Sequence, residues 1–253
     1  MDRHPLQRTL RWAAAVLALA AAAPAMGADL PVAVAANFAE PARQIAAAFE
    51  ARTHGHVALS FGSSGQFYIQ IAHGAPFEVF LSADADRPAQ AERDGLAVPG
   101  TRFTYAIGRL VLFSKTAGLV DDRGAVLKSD KFQKLSIADP ALAPYGVAAV
   151  QTITRLGLYD RLKPKLVTGT SINQAYQFVD TGAAELGFVA QSQVITQVGG
   201  SRWLVPQSDH APIEQQAVLL KTGQDDAAAK AFLAFLKGPE AAKVIKRFGY
   251  GTK

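Results

Sequence analysis

No cysteine occurs in the 253 residues, which excludes disulfides and a lipid-modified N-terminal cysteine that would tether the chain to a membrane. Long apolar runs are scarce as well. The run Trp12 to Ala23 holds twelve residues, too few for the roughly 20 that a membrane-spanning helix needs, and no second such run follows. It comes after Arg3, Arg8 and Arg11 and before Pro24 and the small residues Ala25-Met26-Gly27-Ala28, the layout of a secretory signal over 1–28. The expectation is an exported, soluble protein of the bacterial periplasm.

Charge of one sign is also sparse. Removing residues 1–28 takes three arginines and Asp2 from 26 basic and 21 acidic residues, leaving 23 and 20. That surplus could help an anion to arrive, but no Lys/Arg cluster with interleaved aromatics points to nucleic acid. Catalytic signatures are missing too. Gln66 stands where Gly-x-Ser-x-Gly would need its second glycine after Ser64, and Walker and dinucleotide glycine patterns are absent. His54 and His56 flank Gly55 with no Cys or carboxylate cluster nearby, and His73 and His210 stand alone, too little for a metal site. No low-complexity linker or clear internal repeat divides the chain.

What is present is a repeated strand-then-helix unit with polar residues at the strand ends. Val32 to Ala36 is an apolar run ending at Asn37, which suits a helix N-cap, with Pro41 in the first turn and Phe38, Ala42, Ile45 and Phe49 at helical spacing up to Gly55. His56 to Phe61 leads through Gly62-Ser63-Ser64-Gly65 into a helix that carries Phe67 and Ile71 and stops at Gly74-Ala75-Pro76. Phe77 to Ser82 is a third strand, with a helix beginning near Pro88. This alternation predicts a doubly wound, mainly parallel α/β sheet. If the first two strands are adjacent, Asn37 and the two serines share one rim, where open α/β sheets bind ligands. Hydroxyls and helix N-terminal N–H groups gathered there would suit an anion.

Thr104 to Phe113 reads as a long strand with Gly108 inside it, where the chain crosses to a second set of units. That set comprises a strand Leu135 to Ala138, the loop from Asp139 to Gly146, a helix from about Val147 to Leu156, a segment Lys165 to Val167, and a strand Leu186 to Ala190. Ser171-Ile172-Asn173-Gln174 fits a capping box and leaves the Ile172 N–H to face a ligand. Pro212 to Leu220 reads as a return strand, followed by helices Ala227 to Leu236 and Glu240 to Phe248. Two crossings predict a discontinuous first domain, 29–107 with 213–253, around a second domain, 108–212.

Six pieces in order carry a resemblance to a known family: Val34-Ala35-Ala36-Asn37-Phe38; Gly62-Ser63-Ser64-Gly65; Gly74 through Asp84; Asp139-Pro140 with Ala143-Pro144-Tyr145-Gly146; Leu186-Gly187-Phe188-Val189; and Leu236 through Ala242. Over nearly the whole mature length the chain resembles the periplasmic molybdate-binding proteins of ABC importers, the ModA family, in its Asn-containing subclass. The resemblance implies a two-domain type II periplasmic binding protein that performs no chemistry and needs no cofactor. It would be a monomer that captures molybdate, with tungstate close in size, for a membrane permease. It implies that Asn37 and Ser64, with Ser63 beside them, and the main-chain amides of Tyr145 and Ile172 hold the oxyanion. Many members add a Tyr hydroxyl where this chain has Ala190, a donor that Tyr145 or Asn37 would have to replace.

A deprotonated tetrahedral dianion offers only acceptors, so a site of hydroxyls and amides suits it, whereas monoprotonated phosphate would need an acceptor that this set lacks. Asp84 and Asp139, near the rim, read as structural carboxylates. The competing readings are a binder of sulfate or thiosulfate, a periplasmic hydrolase with Ser63 or Ser64 as nucleophile, and a plain structural domain.

Overall fold

The computed structural model describes residues 29–252; the signal read over 1–28 lies outside them. The buried apolar run of β1 (Leu30–Ala35) pairs in parallel with β2 (Val57–Gly62) on one side and β3 (Val79–Leu81) on the other. A strand buried on both faces needs no polar alternation, and this one has none. Ala35 stands level with Gly62, so the segments that follow the two strands leave the sheet side by side.

A 3₁₀ turn, Ala36–Phe38, runs straight into α1 (Ala39–Thr53), and α2 (Ser64–Ala72) follows β2 after the single residue Ser63. The helix α3 (Asp86–Arg93) follows β3. Two strands complete the sheet, β4 (Phe103–Gly108) and the return strand β10 (Ile213–Leu219), in the order β2-β1-β3-β10-β4 with only β10 reversed. Val32 and Val34 face a core formed with α1 and the closing helices α8 (Ala227–Leu236) and α9 (Pro239–Arg247). Phe49 meets Phe232 there edge to face, centroids 5.3 Å apart. Ala33 faces the opposite layer, where Phe67, Ile71 and Ala91 of α2 and α3 pack.

The second sheet repeats the pattern. Its strands β5 (Leu110–Ser114), β6 (Leu135–Ala138), β7 (Leu166–Gly169), β8 (Leu186–Ala190) and β9 (Ser201–Leu204) are ordered β7-β6-β8-β5-β9, again with the fourth in that order reversed. Helices α4 (Pro144–Arg155), α5 (Tyr159–Leu162), α6 (Ile172–Asp180) and α7 (Gln191–Val194) cover it. Each sheet is thus a doubly wound α/β layer, the type II arrangement read from the sequence. The predicted long strand Thr104 to Phe113 is two strands in two sheets, broken at Arg109. A side chain at position 108 would force its neighbours aside: a Cβ there would lie 2.4 Å from the Tyr145 hydroxyl and 2.8 Å from Gln215 Nε2.

Several local expectations are corrected. Asn37 does not cap a helix; it lies within the 3₁₀ turn, with its side chain engaged elsewhere. The left-handed residue closing α1 is His54, φ 57°, rather than Gly55. Helix α4 starts at Pro144, where a missing N–H costs nothing, and so takes Tyr145 into its first turn. Ser171 accepts the Gln174 N–H at 3.3 Å, but Gln174 Oε1 accepts from Thr170 rather than closing the box. The complete box is at Ser63 and Gln66. β9, α5 and α7 are short elements that periodicity did not reveal.

Asp226 caps α8 by accepting the N–H groups of Ala228 and Ala229. Beside it, burial first and the Asp226 charge second raise Glu78 from 4.5 to about 7. The folded state therefore keeps a proton that the unfolded chain has released, and stability falls as pH rises between about 4.5 and 7. Glu78→Gln is expected to raise the melting temperature at pH 8 and to leave it unchanged at pH 4; an equal change at both would refute the assignment.

Candidate functional site: a cavity between the two sheets

The strand ends of both sheets face each other, and between them lies a small cavity of about 10 Å³. Ala35 to Asn37, Gly62 to Ser64 and Ala83 form one wall; Ala143 to Tyr145 and Ile172 form the other. All five residues singled out in the sequence, Asn37, Ser63, Ser64, Tyr145 and Ile172, line it, and all are buried.

Four helical N-termini meet here: the 3₁₀ turn leading into α1, then α2, α4 and α6. Ser64, Tyr145 and Ile172 sit in first turns, where a backbone N–H has no intrahelical acceptor. Each helix adds about half a positive charge at this end. Both serines are oriented as donors. Ser64 Oγ accepts the Ala83 N–H at 2.9 Å, and Ser63 Oγ accepts the Gln66 N–H at 3.4 Å, so each hydroxyl proton remains to be given to a ligand. No carboxylate, lysine, arginine or histidine lines the cavity.

The polar tips of Asn37 and Tyr145 are turned to a buried network. Asn37 Nδ2 donates to Gln215 Oε1 at 2.8 Å and to the Tyr250 hydroxyl at 3.1 Å. Gln215 Nε2 donates to the Tyr145 hydroxyl at 3.3 Å, and Tyr105 donates to Gln215 Oε1 at 3.1 Å. Burial pushes the hydroxyls of Tyr105, Tyr145 and Tyr250 well above the usual tyrosine range, so the network is neutral. Tyr145 therefore reaches the cavity through its helix-terminal main chain, not by the hydroxyl that could replace the tyrosine absent at Ala190. Sequence reading missed Gln215, Tyr250 and the Ala83 amide. Only Gln215 left a trace, as a polar pair with Gln216 inside an otherwise apolar strand.

A larger depression, about 380 Å³, adjoins the cavity. Asp84, Asp86, Glu214 and Arg87 line it, and Arg87 pairs with Asp84. Its carboxylates make it unsuited to an anion, whereas no carboxylate lines the smaller cavity.

The two halves also touch across the rim. The Gly65 N–H donates to Leu142 O at 2.9 Å, Arg87 Nη2 to Ala141 O at 3.1 Å, and Ser192 Oγ to Asn37 O at 2.8 Å. These contacts make this a closed arrangement.

Comparison with known proteins agrees with this architecture. The family model of the bacterial extracellular solute-binding proteins matches residues 30–251. A molybdate-binding protein ModA of Rhodobacter capsulatus is 57% identical over 248 residues, covering 97% of this chain and 98% of that one. The ModA of Azotobacter vinelandii is 55% identical over 232 residues, 90% of this chain and 92% of its own. The solved Azotobacter vinelandii periplasmic molybdate-binding protein superimposes with a TM-score of 0.86 at 43% identity, over 89% of this chain and all of that one. The chain belongs to the bacterial extracellular solute-binding proteins and, within them, to the ModA family.

Proposed function

We propose that the protein captures molybdate, and tungstate as its near equal in size, in the cavity between the two sheets and delivers it to an ABC permease of the inner membrane. One observation carries this reading: a buried cavity bordered by four helix N-termini and two serine hydroxyls, with no acceptor-bearing carboxylate and no formal charge. A dianion with acceptors only satisfies every such donor, and each charge-assisted bond contributes roughly 1.5–3 kcal/mol. Asn37, Ser63, Ser64, Tyr145 and Ile172 are the proposed contacts. That the Rhodobacter capsulatus and Azotobacter vinelandii relatives are molybdate-binding proteins supports the choice of molybdate among oxyanions. We further propose that the two halves are domains, 29–107 with 213–253 and 108–212, which close about the strands on either side of Gly108 and before Ile213. The mature chain would act as a monomer in the periplasm, exported by the segment 1–28.

A nucleophilic role for either serine has no support in the geometry. Neither hydroxyl is hydrogen-bonded to a histidine or carboxylate among the described residues, as an activated serine would be.

The test is thermal unfolding of the dialysed protein with molybdate, tungstate, sulfate or phosphate at equal concentrations. Ligand at about a thousand times its dissociation constant adds roughly 4 kcal/mol of stability. A large rise in melting temperature with molybdate and tungstate, and little or none with sulfate or phosphate, is the expected result. An equal rise with sulfate would reassign the ligand, and no rise with any of the four would remove the site.

A further inference from the structure

The network behind the cavity consists of side chains that can each donate and accept. Asn37 and Gln215 carry carboxamides; Tyr105, Tyr145, Tyr250 and Ser192 carry hydroxyls. Asn37 lines the cavity and is 97% buried, and its Nδ2 is occupied by Gln215 and Tyr250, yet its Oδ1 has no hydrogen-bond partner among the described residues. In this arrangement the free end of the carboxamide is an acceptor, the wrong polarity for an anion.

The polarity can be reversed without moving the backbone. A carboxamide turned by 180° exchanges its oxygen and nitrogen while keeping its shape. If Asn37 turns alone, its oxygen meets Gln215 Oε1, and two acceptors face each other. If Gln215 turns with it, the bonds between the two carboxamides and their tyrosine partners are remade in the opposite sense. Gln215 Nε2 then donates to Asn37 Oδ1 and to Tyr105, and the Tyr145 hydroxyl donates to Gln215 Oε1. Tyr250 moves its proton from Asn37 O, 2.7 Å away, to Asn37 Oδ1, while Ser192 Oγ continues to donate to Asn37 O. The Asn37 NH₂ group is left free for the cavity.

The fold holds Gln215 in place for this. It is fully buried on β10, and the register of β10 against β4 shifts between Gln215 and Gln216, which oppose Ala106 and Thr104. Tyr105 is the unpaired residue of that bulge, and bulges re-aim side chains. Its hydroxyl lies 3.1 Å from both Gln215 Oε1 and Ser82 O.

We propose that Gln215 is a positioning residue for oxyanion binding: it sets which end of the Asn37 carboxamide the cavity meets, and anion entry turns the two amides over together. The inference rests on the reading of this cavity as the oxyanion site and assigns to Gln215 a role without contact to the ligand.

The experiment is a double-mutant cycle read by calorimetric titration with sodium molybdate, using the unaltered protein, Asn37→Ala, Gln215→Leu and the double variant. Gln215→Leu is expected to weaken binding about 10- to 100-fold when Asn37 is present, the loss of one oriented charge-assisted bond. In the Asn37→Ala background the same change is expected to cost at most about twofold. An equal loss in both backgrounds would make Gln215 merely structural and overturn the proposal. Binding by Asn37→Ala as tight as in the unaltered protein would instead overturn the placement of Asn37 at the oxyanion, and the inference with it. If Gln215→Leu does not fold, Gln215→Met supplies the cycle. Nitrogen-15 spectra of the unaltered protein give a second readout, with the side-chain NH₂ signals of Asn37 and Gln215 identified by their loss in the variants. Both should shift on adding molybdate; a shift at Asn37 with none at Gln215 would refute the coupled turn.

Discussion

A methyl group at position 65 is expected to hold the two halves apart. The Gly65 Cα faces the second half so closely that an added Cβ would lie 2.9 Å from Leu142 O and 3.0 Å from both Leu142 Cα and Arg87 Nη2. The backbone of Leu142 cannot swing aside as a long side chain would, and the Gly65 N–H is already bonded to its carbonyl. Overpacking of this kind costs about 1–3 kcal/mol, and here the cost falls on the closed form alone. Gly65→Ala should therefore weaken molybdate binding about 10- to 100-fold. Without ligand, the melting temperature should hold or rise slightly, since alanine favours a helix over glycine by about 1 kcal/mol. Titration calorimetry, together with scattering to measure the closed fraction, checks both halves; native affinity in this variant would mean that the bound form does not bring Gly65 against Leu142.

The second large effect concerns Ser64. Its hydroxyl takes the Ala83 N–H and retains its proton for the ligand, so Ser64→Ala removes a donor and strands a buried amide at once. The lost charge-assisted bond is worth roughly 1.5–3 kcal/mol, and the stranded N–H costs roughly 1–3 kcal/mol wherever water cannot replace the hydroxyl. Closure excludes that water, so part of the second cost adds to the first. Affinity for molybdate should fall about 100-fold or more, with circular dichroism unchanged. A variant that binds as tightly as the native protein would take Ser64 out of the site.

The alternation of strand and helix was plain in the sequence because fully buried parallel strands are continuous apolar runs, and Leu30–Ala35, Leu135–Ala138 and Leu186–Ala190 are such runs. The rim was legible for a related reason: Asn37, Ser63, Ser64 and Ile172 each follow a strand or open a helix, and local sequence marks such places. Gln215 and Tyr250 were not legible as partners of Asn37, since they are 178 and 213 residues away and only the return of the chain to the first sheet brings them there. The role of Ala83 is carried by a backbone N–H, which every residue but proline has, so no side chain could announce it. Sequence alone puts the start of α4 near Val147, three residues late, because Pro144 looks like a loop signal when it is the first residue of the helix.

The absence of an ionisable lining, apart from a tyrosine held neutral by burial, has an electrical consequence. A cavity without a titrating group cannot take up a proton to offset its guest. Capture of a dianion therefore lowers the net charge of the whole particle by two, at any pH where the ligand stays doubly deprotonated. The full and empty forms share one sequence but carry different fields, strongest at the mouth where the halves meet. A membrane receptor can thus distinguish loaded from empty carriers by charge as well as by shape.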